Sequence, residues 1–158
     1  MRRLVAAFVI VSLGSTPLLA VGSKKAEYVG GTLKGLPEKT EGVLDTSKED
    51  VLRFLPDKRE IDEIVVPWGK ITALEYGQKA GRRVGAAILV SPLLLFSKKR
   101  KHFLTISFTN PEGKDDAAVL ELGKDVIRTS LTIIETRSGK KIEYQDEEAR
   151  KSGRGGAN

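Results

Sequence analysis

Few side chains in this sequence could support catalysis or metal binding. His102 is the only histidine, and the chain contains no cysteine. A multi-histidine metal site, thiolate ligands and thiol catalysis are therefore excluded. A Ser–His–Asp triad would have to use His102, and the chain has no G-x-S-x-G motif to place its serine. We therefore expect His102 to be a structural or solvent-exposed residue.

Carboxylates cluster at two places in the chain, at Glu60, Asp62 and Glu63 and again at Asp115 and Asp116. Carboxylate oxygens bind calcium, but neither cluster has the spacing of a calcium-binding loop. We interpret both clusters as solvated turns. The sequence also lacks a GxxxxGK[ST] motif and a strand-linked GxGxxG motif. We therefore predict no nucleotide, no other cofactor and no enzymatic activity.

The strongest functional signal is an apolar segment, 84–96, that carries no charge and has basic residues on both sides. Between Glu75 and Glu112 the sequence contains seven basic residues and no acidic residue, so the net charge of +6 is concentrated here. Such a concentration is typical of a surface that contacts an anionic partner. We call residues 79–101 the insertion. Its residues predicted to contact a membrane or a partner are Arg82, Arg83, Ile88, Leu89, Leu93, Leu94, Leu95, Phe96, Lys98, Lys99, Arg100 and Lys101.

The length of the apolar segment limits its possible roles. A helix that crosses a bilayer needs about 20 apolar residues, whereas runs of about 10–14 are more typical of interfacial, re-entrant or core segments. Gly77, Gly81 and Gly85 are four residues apart and would form a smooth stripe on a helix, which Pro92 would kink or end. Three alternatives remain: contact with an anionic membrane surface, packing against the core of the domain, or an interface with a protein partner.

Residues 1–22 have the order of a secretory signal peptide. Two arginines come first, an uncharged apolar run at 4–13 follows, and small residues stand at Ala20 and Gly22. The alternative is an uncleaved N-terminal anchor. In either case we expect an exported domain, periplasmic or secreted, or tethered to the membrane. Since an exported chain rarely meets nucleic acid, we do not interpret the basic run 98–101 as a nucleic-acid contact.

Seven short runs of alternating apolar and polar residues, separated by turn-forming residues, predict a β-sandwich or barrel. In the fifth run, strict alternation would put Ile71 on the face opposite to Leu74 and Tyr76. The paired glycines at 30–31 would permit a bulge. The predicted strands are Tyr28–Leu33, Glu41–Thr46, Val51–Leu55, Ile61–Val66, Lys70–Gly77, His102–Phe108 and Ala117–Leu122.

A helix is predicted over 124–138, because Ile127, Leu131 and Ile134 share one helical face and Gly139 can end the helix. The residues that follow it, up to Gln145, are expected to be extended.

The predicted domain spans 26–145, with the insertion between its fifth and sixth strands. The polar, glycine-rich residues 146–158 are predicted to be a disordered tail.

Seven short strands followed by one amphipathic helix resemble the pleckstrin-homology arrangement, a bent β-sandwich with one end closed by the helix. VVPWGKITALEYGQ (65–78) looks like the middle strand of bacterial pleckstrin-homology-like and GRAM-type domains, and HFLTISF (102–108) and AAVLELGKD (117–125) resemble their second half. The resemblance covers about 26–145 and implies a non-enzymatic scaffold. In eukaryotic members the basic residues that bind phosphoinositides lie in an early strand pair. Here the basic cluster comes later, so that ligand is not predicted.

Together these features predict a non-enzymatic exported domain that binds an anionic membrane surface or an envelope protein through the insertion. The alternative is a structural adaptor in a cell-envelope assembly.

Overall fold

A computed structural model describes residues 24–78, 89–90 and 101–154, with the backbone alone at 24 and 89–90. These residues form a mainly β domain with one nine-stranded sheet. Eight of the strands lie side by side and curl into a half-barrel, and helices pack against the domain near its C-terminus. The strands are β1 (Lys24–Gly31), β2 (Thr40–Asp45), β3 (Val51–Pro56), β4 (Ile64–Pro67), β5 (Ile71–Gly77), β6 (Leu89–Val90), β7 (Phe103–Thr109), β8 (Asp115–Leu122) and β9 (Ile142–Tyr144). The helices are two 3₁₀ turns, Trp68–Lys70 and Lys124–Val126, then α1 (Ile127–Ser138) and α2 (Glu147–Arg154).

The order of strands across the sheet is β4-β3-β2-β1-β8-β7-β5-β9, and the two-residue strand β6 pairs with β1 outside this path. All pairs are antiparallel except β5 with β9. The expected mainly β fold with a helix after the strands is confirmed. The seven predicted strands are all present, with boundaries that move by up to four residues. β6 and β9 are additional, and both are too short to show a period in the sequence.

The prediction for β5 is wrong at its first residue. Ile71, Leu74 and Tyr76 are all buried, although strict alternation puts Ile71 on the other face. The register against β7 shifts between Ile71 and Ala73. This bulge inserts one extra residue and returns Ile71 to the core face.

The bulge predicted at the paired glycines of β1 is confirmed. The register between β1 and β8 shifts between Tyr28 and Gly30, and Gly30 and Gly31 have φ angles of 158° and 147°. A Cβ on Gly31 would lie 2.2 Å from the carbonyl oxygen of Ala117. Only glycine therefore fits where β1 bends against β8.

The predicted C-terminal helix is confirmed, together with its buried face. Ile127, Leu131 and Ile134 on α1 are at most 2% exposed and join the hydrophobic core. Gly139 ends the helix in the left-handed conformation, at φ 67°, and its N–H bonds to the carbonyl of Glu135. Near this end, the Arg137 guanidinium donates to the carbonyl of Thr46 at 2.9 Å and also to that of Lys48.

Trp68 occupies the position between the sheet and α1. Its side chain is 5% exposed, and its indole N–H donates to the carbonyl of Lys48 at 3.3 Å. The guanidinium of Arg137 lies 5.8 Å from the centre of the ring. Trp68 is thus a packing residue at the end of β4, where a bound ligand could not reach its ring face.

The predicted disordered tail is wrong over 147–154, which form α2. Asp146 caps this helix, because its carboxylate accepts a hydrogen bond of 2.7 Å from the N–H of Ala149. Ala149 is fully buried, and Gly153 lies against Tyr144 and Tyr76. Composition predicted disorder because it does not register this cap or these tertiary contacts. Residues 155–158 lie outside the described part.

Candidate functional site

Most of the predicted contact residues lie outside the described residues. Lys101 is described in full, and Leu89 is described by its backbone, which pairs with Gly31 of β1. The predicted residues that fall outside are Arg82, Arg83, Ile88, Leu93, Leu94, Leu95, Phe96, Lys98, Lys99 and Arg100. The surroundings of the insertion can still be built from the strands on either side of it.

The two ends of the insertion leave the sheet side by side. Gly77, at the end of β5, pairs directly with Phe103, at the start of β7, and paired residues in neighbouring strands are about 5 Å apart. The basic residues at 79–83 lie within six residues after Gly77, and those at 98–101 lie within five residues before Phe103. An extended chain covers about 3.5 Å per residue, so each basic residue is held within about 20 Å of one point. The described chain therefore enters and leaves the insertion at two neighbouring points at one end of the sheet.

At this end of the sheet Lys101 forms an ion pair with Glu121, which lies next to a second carboxylate, Glu27. Its ammonium group lies 2.6 Å from the carboxylate of Glu121. Glu121 on β8 is paired with Glu27 on β1, so two carboxylates face the same side. Burial, and then the charge of Glu121, raise the pKa of Glu27, while Lys101 opposes the shift. The ammonium group of Lys101 therefore balances the negative charge of Glu121. We expect Lys101 to attract an anionic partner less strongly than the other basic residues of the insertion.

His102 belongs to a partly buried polar cluster beside the same point. The hydroxyl of Tyr76 lies 2.6 Å from its Nδ1 and 3.2 Å from the hydroxyl of Ser152 on α2. The rings of Tyr76 and His102 are stacked, with centres 6.2 Å apart. Burial lowers the pKa of His102, and the nearby charge of Lys124 lowers it further. The hydroxyl of Tyr76 on β5 contacts both His102, which precedes β7, and Ser152 on α2, so the cluster joins these three elements. These contacts agree with a structural role for His102.

A groove of about 570 Å³ lies at the opposite end of β7. It is lined by three connections, those between β1 and β2, β3 and β4, and β7 and β8. At its centre the carboxylate of Asp116 accepts hydrogen bonds of 2.8 Å from the hydroxyl of Thr32 and from the amide of Asn110. Sequence analysis missed this groove, since its walls come from distant loops. The one available signal was the turn composition of 110–116.

The predicted solvated turns form part of this groove. Glu60, Asp62, Glu63 and Asp115 are exposed, as expected. Asp116 differs, because its carboxylate is half-buried and bonded on both oxygens. Across the described ranges, no group of three or more histidine, aspartate or glutamate residues is arranged to hold a metal ion.

An exposed apolar side chain lies beside the groove. Val65 on β4 is 46% exposed, the one large apolar side chain of the described part with this degree of exposure. β4 stands at the edge of the sheet and pairs with β3 alone among the described strands. An edge with free backbone groups and an exposed valine can pair with an extended segment of another chain.

The described helices are too short or too polar to span a bilayer. The chain matches no protein-family model, and no curated protein is significantly similar to it.

Proposed function

We propose that the protein is a non-enzymatic, exported domain that binds an anionic membrane surface through the insertion, 79–101. The observation that carries the proposal is the pairing of Gly77 with Phe103. Because the two attachment points of the insertion lie side by side, we expect the basic residues at 79–83 and 98–101 to cluster at one end of the sheet. Gathered charge attracts an anionic surface far better than the same charge spread over the domain.

The size of the effect is sufficient for a peripheral contact. Each lysine or arginine near an anionic bilayer contributes about 1 kcal/mol. Six basic residues of the insertion precede Lys101, whose own charge is balanced by Glu121 at 2.6 Å. Even if half of the six reach the surface together, about 3 kcal/mol is available, which is more than a 100-fold gain in partition.

The strand order supports a pleckstrin-homology-like scaffold for this function. Four strands run in order from β4 to β1, three more run from β8 to β5, and the helix α1 follows the last long strand. The buried face of α1 joins the hydrophobic core inside the half-barrel. A curled sheet followed by a packed helix is compatible with such a scaffold, in which the loops and the insertion are available for binding.

Export rests on the signal-like residues 1–22, which lie outside the described part. A periplasmic or secreted location would present the basic insertion to the outer leaflet of the inner membrane or to another anionic envelope surface.

The proposal is tested by sedimentation with vesicles of phosphatidylglycerol and phosphatidylcholine. The protein is purified from cells that export it, in the form that they produce. The variant K98E/K99E/R100E leaves the Lys101–Glu121 pair intact. The control K48E/K58E/R59E makes the same change in net charge at exposed loop positions. We expect about 100-fold weaker partition for the insertion variant and a small change for the control. Equal losses in the two variants would show that net charge alone is responsible, and no loss in either would exclude the proposal.

A second candidate is a structural adaptor in an envelope assembly, favoured by the exposed Val65 on the edge strand β4. A lysine at an edge position discourages strand pairing. A partner captured by the wild-type protein and by K98E/K99E/R100E, but lost with V65K, would support this candidate. Capture that V65K leaves unchanged would rule out the β4 edge.

A further inference from the structure

The sheet has a second buried face, on the side away from the core. Val29, Phe103, Thr105 and Val119 are between 0% and 5% exposed. Their neighbours along the strands, such as Leu104 and Leu120, point into the core, so Phe103, Thr105 and Val119 point outward. Val29 lies in the bulge of β1 and is grouped with them because it is buried but stands apart from the hydrophobic core. Val119 pairs with Thr105 across β8 and β7, and the four residues form a continuous patch over β1, β8 and β7. We call this patch the outer face.

The described helices are placed elsewhere. α1 lies against the two 3₁₀ turns and α2, and α2 lies against β5 and β9. The four residues also stand apart from the hydrophobic core. Side chains that are almost fully buried must have neighbours on them, and the described helices do not supply these neighbours.

The position of β6 indicates which part of the chain could supply these neighbours. The insertion leaves β5 at Gly77, yet Leu89 and Val90 pair with Gly31 and Gly30, on the far side of β1. Between β5 and β6 lie β7, β8 and β1, so the chain crosses four strand spacings, or about 19 Å. Eleven residues link Gly77 to Leu89, and they can reach about 36 Å when extended. The concave side is filled by the core, whereas a connection of this length is long enough to cross the outer face.

We propose that the apolar segment of the insertion, 84–96, is the cover of the outer face of β1, β8 and β7. The segment is uncharged and apolar, and it would contact the largely apolar side chains of the outer face. Its basic ends match as well, since Glu27 and Glu121 stand on the same face and Lys101 already binds Glu121. The assignment goes beyond the proposed membrane contact and narrows it: the apolar residues cover the sheet, and the basic residues alone meet the lipid.

The experiment uses the absence of cysteine from the natural chain. Thr105→Cys, which changes the side-chain volume little, is combined in turn with cysteine at Ile88, Leu93, Leu94, Leu95 and Phe96 in the full chain. Matched controls carry Thr129→Cys, at an exposed threonine of α1, with the same partners. Intact mass at low protein concentration after mild oxidation separates intramolecular disulfides from dimers. We expect at least one Thr105 pair to form an intramolecular disulfide, with or without anionic vesicles, and no Thr129 pair to do so.

A second measurement keeps the proposal falsifiable if a double variant folds poorly. The single variant T105C should react with a thiol reagent about 100-fold more slowly than T129C. Replacing 84–96 by a glycine–serine linker of equal length should remove this protection. Cross-links from Thr105 to cysteines at 1–22 instead of the insertion would assign the cover to the N-terminal residues and overturn the proposal. Disulfides that are lost only with vesicles would overturn it too, by showing that lipid takes up the segment, whereas failure of the charge-reversal test alone would leave it standing.

Discussion

At the scale of single residues, His102 makes the stability of the fold depend on pH. Its pKa in the folded protein is lowered from the usual 6.5, first by burial and then by Lys124, while Glu121 opposes the shift. The unfolded chain therefore binds the proton more readily than the folded protein. The stability contributed by neutral His102 is complete above about pH 6.5 and is lost as the pH falls through the folded value.

We expect the urea midpoint of the wild-type protein to fall between pH 7.5 and pH 5.5 by more than that of H102Q. Glutamine is neutral at both values and can still accept the hydrogen bond from Tyr76. Glu27 has a raised pKa and shifts stability in the opposite direction, but it is present in both proteins and cancels in the comparison. An equal pH dependence of the two proteins would contradict this role for His102.

The residues of the candidate site could be predicted from the sequence by type and only in part by role. The concentration of positive charge is visible in the sequence, because it needs no knowledge of the fold. The partner of Lys101 is not, since Glu121 is twenty residues away in the sequence and reaches it only through the pairing of β7 with β8. The hydrogen bond between Tyr76 and His102 depends in the same way on the pairing of β5 with β7.

At the scale of elements, the strands were predictable because one face of each is buried, which imposes alternation on the sequence. The prediction was wrong where a bulge changes the period of a strand, and where tertiary contacts determine whether a helix forms. The bulge after Ile71 is a case of the first kind. The helix α2 is a case of the second kind: its eight residues include Gly153 and are mostly polar, and its stability depends on the surface formed by Tyr144, Leu131 and Tyr76.

The contact at Gly153 gives a prediction for this helix. A Cβ at this position would lie 2.7 Å from Cε1 of Tyr144, 3.1 Å from Leu131 and 3.2 Å from Tyr76. We expect G153V to lower the free energy of unfolding by about 1–3 kcal/mol through overpacking, and to speed amide hydrogen exchange in 147–154. The control K151V introduces the same side chain at an exposed position of the same helix. If the two variants lose equal stability, helix propensity rather than packing is the cause.

At the scale of the whole molecule, the two ends of the sheet are attached to segments of different charge. The insertion, whose sequence carries seven basic residues, is attached at the end where Gly77 pairs with Phe103. At the other end of β7, the groove is lined by five carboxylates and two lysines. If the insertion binds an anionic surface as proposed, this difference in charge turns the insertion end toward the surface and the groove end away from it.

The proposed arrangement, with apolar residues covering the sheet and basic residues facing the lipid, predicts membrane binding that depends strongly on salt concentration. Screening shortens the reach of charge from about 10 Å at 0.1 M salt to about 3 Å at 1 M, whereas burial of apolar surface is not weakened by added salt. We therefore expect the partition of the wild-type protein onto anionic vesicles to fall at least about 10-fold between 0.05 M and 0.3 M sodium chloride. The same measurement on K98E/K99E/R100E should give weak binding with little dependence on salt. Wild-type binding that persists at 0.3 M would mean that apolar residues of the insertion enter the bilayer, and the outer face of the sheet would then need another cover.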